Sequence, residues 1–289
     1  MKRIGVVVNL DKPVSRPVLR RLTERARNQQ LELVTIPQVA AELPEATIVS
    51  EAELAAHVDI VVALGGDGTM LHAVRMLNGG QAPVLGVNLG SLGFMTSVTE
   101  EAFEHALDVV VAGRYKIYER TLLQCRVERQ GEEVAEYVAL NDVVAGWGSS
   151  SRAMTLRLAI DGEEVAQYLC DGLIVSTPTG STGHSLSAGG PIVHPAAPVF
   201  CVNVICPHTL SARPLVLSDQ AELAIHVQEI PADKQPLLSA DGQGEFVLDR
   251  GDVLRIRRHD HVVRFLHLPE YSYFAVLRQK LHWRGSVLP

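Results

Sequence analysis

One short segment, Gly65–Thr69, combines three glycines with a single carboxylate. It comes directly after the apolar run Asp59–Leu64, which predicts a buried strand, and it leads into Thr69–Leu77, whose spacing predicts a helix. Glycines let the backbone approach a ligand closely, and the N–H groups at a helix start bind phosphate oxygens. Asp67 would repel phosphate unless it has another task, such as orienting a hydroxyl or lying beside a magnesium ion. The alternative is a tight strand-to-helix turn in which Asp67 caps the helix.

A second segment, Asp171–Pro191, is rich in small hydroxyl residues and glycines. A predicted strand, Leu173–Ser176, leads into it, and the run offers many hydrogen-bond donors and acceptors with little bulk. This suits a polar ligand such as a nucleoside. A flexible linker is the alternative, but a linker would not follow a buried strand and contain Leu186 and proline-bracketed turns. A third segment, Asn141–Asp142, is by itself an ordinary turn dipeptide.

The glycine segment Gly65–Thr69 lies within the first 113 residues, whose predicted strands and helices hold it in place. Short apolar runs alternate there with helical spacing, which predicts an α/β domain with a Rossmann-like parallel sheet. The predicted strands are Ile4–Val8, Leu31–Ile36, Asp59–Leu64 and Pro83–Val87. Helices are predicted at about 17–29, from a capping box at Ser50 and Glu53 to about 57, at 69–77, and from a cap at Thr99 to about 112.

Residues 114–269 carry the other two segments, and their apolar period changes to two. Met154–Ile160 alternates cleanly and is followed by a hairpin turn at Asp161–Gly162. Many short strands separated by turns predict a β-sandwich-like second domain. Residues 270–289 return to helical spacing, so we expect a C-terminal helix that packs back on the first domain.

Composition excludes several classes of protein. The chain has 289 residues, 47% of them hydrophobic, and 26 Lys+Arg against 33 Asp+Glu give a formal net charge of −7. An acidic balance argues against non-specific binding to nucleic acid or to an anionic membrane. No apolar run approaches the ~20 residues of a membrane span, and Ile4–Val8 is too short for a signal peptide, so we expect a cytoplasmic protein. The four cysteines form no CxxC pair and are expected to be reduced core residues.

Taken in order, the three segments resemble the motifs of the bacterial NAD kinases. The resemblance rests on Gly65–Thr69, Asn141–Asp142 and Thr177–Pro191, and it continues through Pro207–Pro214, Asp241–Gln243, Tyr271–Phe274 and Lys280–Leu281. It covers the chain from Ile4 to Trp283. The Gly-Gly-Asp-Gly element alone is shared with phosphofructokinases and lipid kinases, whereas the long Ser/Thr/Gly stretch is specific to NAD kinases.

The resemblance implies an enzyme that transfers the terminal phosphoryl group of ATP, or of inorganic polyphosphate, to the adenosine-ribose 2′-hydroxyl of NAD, making NADP. It implies Mg²⁺ held mainly by the nucleotide phosphates, with no protein metal ligand assigned, and a homodimer or homotetramer. Asp67 is the implied catalytic proton acceptor. The implied phosphate loop is Gly65, Gly66, Gly68 and Thr69. The implied NAD-binding positions are Asp67, Gly68, His72, Asn141, Asp142, Arg152, Asp171, Thr182, Gly183, His184, Ser185, Leu186, Ser187 and Gln243. The ligand is expected in the crevice between the two domains.

Two departures from the family pattern affect the implied site. Gly183-His184 stands where the family usually has Ala-Tyr, so an aromatic stack on the ligand would be smaller and would carry a charge when His184 is protonated. Leu169 stands where some relatives have Arg, which removes a polar contact.

Two other functions remain open from the sequence. A lipid or sugar kinase of the Gly-Gly-Asp-Gly group would need an apolar acceptor pocket or arginines in place of the Ser/Thr/Gly stretch. A non-catalytic NAD sensor would bind NAD without turnover. The sequence does not decide between ATP and polyphosphate as donor or between NAD and NADH as acceptor.

Overall fold

The computed structural model describes residues 2–91, 93–146, 153–231 and 235–283. These form two compact units. The first contains the described residues up to Glu119 together with those from Val263 onward, and the second is Arg120–Val262. The division falls inside two long strands rather than in loops.

The strands of the described residues are β1 (Arg3–Val8), β2 (Glu32–Thr35), β3 (Thr47–Ile48), β4 (Ile60–Gly65), β5 (Val84–Asn88), β6 (Val98–Thr99), β7 (Lys116–Arg129), β8 (Glu132–Ala139), β9 (Asp142–Gly146), β10 (Met154–Ile160), β11 (Glu163–Cys170), β12 (Gly172–Ser176), β13 (Val199–Ile205), β14 (Leu215–Ser218), β15 (Leu223–Glu229), β16 (Leu237–Ala240), β17 (Gly244–Val247) and β18 (Val253–His267). The α-helices are α1 (Ser15–Asn28), α2 (Leu54–His57), α3 (Asp67–Leu77), α4 (Phe103–Val111), α5 (His184–Ser187) and α6 (Tyr273–Lys280), with 3-10 turns at Pro37–Glu42, Glu51–Glu53 and Gly180–Thr182.

The first unit is built on a parallel sheet. Its strand order is β18-β5-β4-β1-β2-β3, and every pair in this row is parallel, with β18 joining through Phe265 opposite Val84. All six residues of β4 and all five of β5 are buried. Uninterrupted apolar strands of this kind need cover on both faces, which the crossover helices supply. The predicted α/β domain is confirmed.

The second unit consists of two antiparallel sheets that share one core. One has the order β14-β13-β12-β9-β16-β17, and the other contains β7, β8, β10, β11, β15 and the beginning of β18. Alternate residues of both sheets point into the same cluster, for example Leu156 and Ile225 from one sheet and Val175 and Phe200 from the other. The predicted sandwich-like architecture is confirmed.

Several local predictions need correction. Thr99 does not cap a helix, because it is the last residue of β6, a turn follows at residues 100–102, and α4 begins only at Phe103. The helix predicted over 270–289 is shorter: the Ser272 hydroxyl caps α6, which ends at Lys280, while residues 284–289 lie outside the described residues. Three cysteines are buried as predicted, but Cys206 is exposed, since it follows the end of β13, where the strand is only partly buried. The capping box at Ser50 and Glu53 is confirmed.

No helix in the described part of the chain combines the length and the apolar character that crossing a bilayer requires.

Candidate active site

Asp67 lies in a small hollow of the first unit, with a volume of about 180 Å³. Glycines and two lysines supply most of its wall. The lining residues are Lys12, Gly65, Gly66, Asp67, Asn88, Gly90, Ser91, Gly93 and Lys280. We call this cavity the Asp67 hollow.

The position of the Asp67 hollow follows from the parallel sheet. Neighbouring parallel strands end at the same edge, and the loops that follow them meet there. Gly65 at the end of β4 pairs with Asn88 at the end of β5, and Val8 at the end of β1 pairs with Leu64. The three segments that follow these strand ends therefore converge, and they bring Lys12, Asp67 and the glycines of residues 90–93 to one place.

The carboxylate of Asp67 is fixed by backbone donors. Its Oδ2 accepts from the N–H of Phe94 at 2.8 Å, and its Oδ1 accepts from the N–H of Met95 at 3.0 Å. Gly93 makes this approach possible, because a Cβ at that position would lie 2.0 Å from Oδ1 of Asp67. The carboxylate is thus held in one orientation and only half-buried, which leaves it accessible to a ligand.

The glycine loop itself leaves room for a ligand. A Cβ built on Gly66 or Gly68 would meet no protein atom within 4 Å. Packing of the described residues therefore does not account for glycine at these positions, whereas close approach of a ligand to the backbone would. The Thr69 side chain is turned toward Gly65, where it would collide with any Cβ.

His72 does not line the Asp67 hollow. Its Nδ1 lies 3.2 Å from Nη2 of Arg75, and its Nε2 lies 4.0 Å from the carboxylate of Glu51. Five residues along a helix rotate a side chain by about 140° relative to the first. His72 therefore projects from a different side of α3 than Asp67.

The second unit brings Asn141 and Asp142 beside the Ser/Thr/Gly segment. The carboxylate of Asp241 accepts from the N–H groups of Leu140, Asn141 and Asp142 at 2.8, 2.7 and 3.1 Å. These bonds fix the turn that opens β9. Gly180 approaches this turn so closely that a Cβ would lie 2.0 Å from the carbonyl oxygen of Asn141. We call Asn141, Asp142 and residues 177–187 the Asn141 cluster.

Two side chains of the Asn141 cluster have unusual polar environments. The amide oxygen of Asn141 is buried and has no hydrogen-bond partner among the described residues. Asp142 is 6% exposed. Burial raises the pKa of the Asp142 carboxyl to about 7, and the nearby negative charge of Asp241 adds to the effect. Both groups are therefore poorly solvated polar groups, which a ligand with complementary donors would stabilise.

In the rest of the Asn141 cluster, some side chains are hydrogen-bonded within the protein and others are exposed. Ser185 is buried, and its hydroxyl accepts a hydrogen bond from the amide of Asn203. Thr182 donates to the carbonyl of Thr179 at 3.2 Å. His184 and Ser187 are exposed, whereas Thr182, Gly183 and Leu186 are half-buried.

Of the other predicted residues, Gln243 lies near the Asn141 cluster and Asp171 lies away from it. Gln243 lies in the hairpin turn after β16, whose last residue pairs with Val143 beside Asp142. Asp171 is at the far end of β12: Ser176 pairs with Asp142, and Gly172 pairs with Gly146. Five strand residues span roughly 16 Å, so the strand holds Asp171 away from the Asn141 cluster. Arg152 lies outside the described residues.

Within the described ranges, no group of three or more His, Cys, Asp and Glu side chains is placed to hold a metal ion. A Mg²⁺ ion that retains waters and binds substrate phosphates needs only one or two protein carboxylates, so a lone Asp67 is compatible with it.

Comparison with known proteins decides the family. The family model for the ATP-NAD kinase N-terminal domain matches residues 4–115, and the model for the ATP-NAD kinase C-terminal domain matches residues 140–268. The chain belongs to the NAD kinase family. It is an enzyme of that kind, and the family resemblance of its motifs is confirmed.

Similar chains and solved structures agree with this assignment. The chain is 40% identical to the NAD kinase of Magnetococcus marinus, over 99% of this chain and 95% of that protein. It is 46% identical to the NAD kinase of Thiobacillus denitrificans over 80% and 79% of the two chains. Yeast NADH kinase complexed with NADH has a TM-score of 0.89 at 28% identity, with 99% and 89% covered. An NAD kinase from Archaeoglobus fulgidus in complex with ATP has a TM-score of 0.77 at 25% identity, with 98% and 100% covered.

Sequence reasoning on site residues missed part of the Asp67 hollow. Residues 88–93 carry a signal that resembles the one at Gly65–Thr69, because glycines follow a predicted buried strand there too. Lys280 belongs to a segment that only the family resemblance singles out. Lys12 has no motif of its own and is placed in the hollow only by the end of β1.

Proposed function

We propose that the chain catalyses Mg²⁺-dependent transfer of the terminal phosphoryl group of ATP to the adenosine-ribose 2′-hydroxyl of NAD, forming NADP. The observation that carries the proposal is the Asp67 carboxylate, held by two backbone N–H groups in an open hollow of glycine backbone. Membership of the NAD kinase family supports the reaction. The yeast relative bound to NADH and the archaeal relative bound to ATP support the two substrates.

Asp67 is the proposed proton acceptor. The 2′-oxygen forms a bond to the terminal phosphorus while the bridging P–O bond breaks, ADP leaves, and the hydroxyl proton passes to Asp67. A carboxylate is too weak a base to remove a sugar hydroxyl proton before attack. Because the transition state of phosphoryl transfer is loose, the proton can move late, and the first task of Asp67 is to orient the hydroxyl.

Charge neutralisation is the second requirement of the reaction. The phosphate loop, Gly65–Thr69, lets phosphate oxygens approach the backbone without side-chain bulk, and the start of α3 presents the positive end of its helix dipole there. Bound Mg²⁺ would supply further stabilisation of the charge on the donor phosphates. We propose that Mg²⁺ is held mainly by those phosphates, beside Asp67.

The Asn141 cluster is the proposed binding region for NAD. The unpartnered amide oxygen of Asn141 can accept from an N–H or O–H of the nucleoside, and Asp142 can bond the ribose hydroxyls. His184 is exposed and free to stack on a ring of the ligand. Ser185, which is bonded to Asn203, would contribute by holding the turn rather than by touching NAD.

Several finer features are proposed on family grounds. We propose a cytoplasmic homodimer or homotetramer, with inorganic polyphosphate as a second donor to be tested. His72 and Asp171 are weaker members of the proposed site, because one projects from another side of α3 and the other lies at the far end of β12.

The test is NADP formation by the purified full chain. NAD or NADH is supplied with ATP or polyphosphate, with and without Mg²⁺. The product, NADP from NAD or NADPH from NADH, is measured with a dehydrogenase specific for NADP(H). We expect turnover with ATP that stops when EDTA removes Mg²⁺. Calorimetric binding of NAD without turnover under any of these conditions would favour the sensor function instead.

A further inference from the structure

Two lysine ammonium groups line the Asp67 hollow. The chain contains five lysines, and Lys12 and Lys280 reach this cavity from opposite ends of the sequence. Lys12 is exposed, and its Nζ lies 3.7 Å from the point where a Cβ on Gly90 would stand. Across the described ranges its ammonium group forms neither a hydrogen bond nor an ion pair.

Lys280 is connected to the loop that holds Asp67. Its Nζ lies 5.4 Å from the centre of the Phe94 ring, a cation–π distance, and the backbone N–H of Phe94 donates to Asp67. No carboxylate among the described residues pairs with Lys280. Its ammonium group therefore keeps all its hydrogen-bonding capacity for a ligand.

The charge balance of the Asp67 hollow favours an anion. Among the described residues of the lining, Asp67 is the only acidic one, and each of its oxygens already accepts a backbone N–H. The two ammonium groups of Lys12 and Lys280 therefore outweigh the single negative charge of Asp67. A lysine can direct three N–H donors toward phosphate oxygens, and a charge-assisted bond to phosphate is stronger than a neutral one.

We propose that Lys12 and Lys280 bind the phosphate groups of the phosphoryl donor in the Asp67 hollow. This inference rests on the proposed function and deepens it, because it assigns donor-binding residues that the site prediction did not contain. When the bridging P–O bond breaks, negative charge accumulates on the departing phosphate, and the two ammonium groups offset it. Because both lysines recognise phosphate rather than a base, they serve ATP and inorganic polyphosphate alike.

The test uses Lys12→Met and Lys280→Met in the full chain, with Lys116→Met as the matched control. Methionine keeps the apolar stem of the side chain, and Lys116 is exposed and not in the lining. Steady-state kinetics give KM for ATP and for NAD. Calorimetry with inorganic tripolyphosphate gives a second readout that needs no turnover.

Loss of one charge-assisted bond corresponds to about a tenfold weakening or more. We expect KM for ATP and Kd for tripolyphosphate to rise at least about tenfold in both lining variants, with KM for NAD unchanged. Lys116→Met should match the wild type. Lys280→Arg, which keeps the charge, should recover most of the tripolyphosphate affinity and controls for misfolding of Lys280→Met.

The outcomes separate this inference from the proposed function. If the wild type makes NADP but both lining variants keep their KM for ATP and their tripolyphosphate affinity, the lysine assignment is wrong and the function stands. If the wild type makes no NADP, the proposed function fails. Tripolyphosphate binding then tests the lysine assignment by itself. Weaker binding in the two variants than in the wild type supports the anion site, and equal affinity in all three proteins overturns it.

Discussion

At the scale of single residues, the orientation of Asp67 depends on a glycine 26 positions further along the chain. Gly93 leaves space for the Asp67 carboxylate, so that Phe94 and Met95 can donate to it. A methyl group at position 93 would displace the carboxylate rather than the backbone, since the nearest atoms belong to the end of a side chain. The fold should therefore tolerate Gly93→Ala better than the reaction does.

We expect Gly93→Ala to lower kcat by about 100-fold, because a misplacement of about 1 Å costs a reaction that much. The melting temperature should change little. The measurement is kcat for NADP formation beside a thermal unfolding curve. Wild-type kcat in the variant would show that the two backbone N–H groups do not position the reactive carboxylate.

Asp142 should make the stability of the chain depend on pH. Burial and the charge of Asp241 raise its pKa from 3.8 to about 7 in the folded state. Between about pH 4 and pH 7 the folded chain therefore binds a proton that the unfolded chain has released. The free energy of unfolding should fall as pH rises through this range, by up to about 1.4 kcal/mol per pH unit, and this slope should vanish above pH 7.

Urea unfolding at pH 5, 6, 7 and 8 checks this expectation, with Asp142→Asn as the comparison. Asparagine keeps the shape and does not titrate, so its curve should lack the Asp142 contribution, while all other groups cancel in the difference. Equal pH slopes for the two proteins would mean that Asp142 is ionised in the folded state at neutral pH.

At the scale of elements, the ends of β1, β4 and β5 bring the residues of the Asp67 hollow together. The apolar runs and the glycine loop predicted β4, α3 and the place of Asp67 from sequence alone, because buried parallel strands leave an uninterrupted apolar signal. The same signal could not show that β1 brings Lys12 beside Asp67. That placement depends on which strands are neighbours, and β1 and β4 are separated by 51 residues between Val8 and Ile60.

Short polar signals were less reliable than apolar ones. Thr99 has the chemistry of a cap, but the chain forms a turn before α4 begins. The motif that contains Asp171 could not show that the length of β12 separates this residue from the Asn141 cluster. By contrast, Ser50 and Glu53 form the predicted capping box, because both partners of that motif lie within one turn of the chain.

Helix α6 offers a prediction at this scale. The hydroxyl of Ser272 accepts from the N–H of Ala275 at 3.3 Å and caps the helix that carries Lys280. We expect Ser272→Ala to cost about 1 kcal/mol, which lowers the melting temperature by roughly 2–4 °C. Ser272→Asp should retain the cap, since aspartate accepts the same bond. Thermal unfolding of the three proteins measures this, and equal melting temperatures for Ser272→Ala and the wild type would contradict the capping role.

At the scale of the whole molecule, each family domain accounts for one half of the proposed chemistry. The first unit supplies Asp67, the phosphate loop and the two lysines, and the second supplies the Asn141 cluster. The alternation of strands and helices followed by period-two strands predicted both architectures. The sequence also predicted a C-terminal segment that packs back on the first domain. The bounds of the two units were harder to predict, because the division falls within β7 and β18, where no linker marks it.

The most direct measurement is NADP formation by Asp67→Asn compared with the wild type, with NAD affinity measured on both proteins. Asparagine has the size of aspartate but is not a proton acceptor of comparable strength. We predict that kcat falls by about 10²–10⁴-fold, the range of general acid–base contributions, while the Kd for NAD stays within a few-fold. Asp67→Asn with most of the wild-type kcat would contradict the assignment of Asp67 as the group that orients and deprotonates the 2′-hydroxyl.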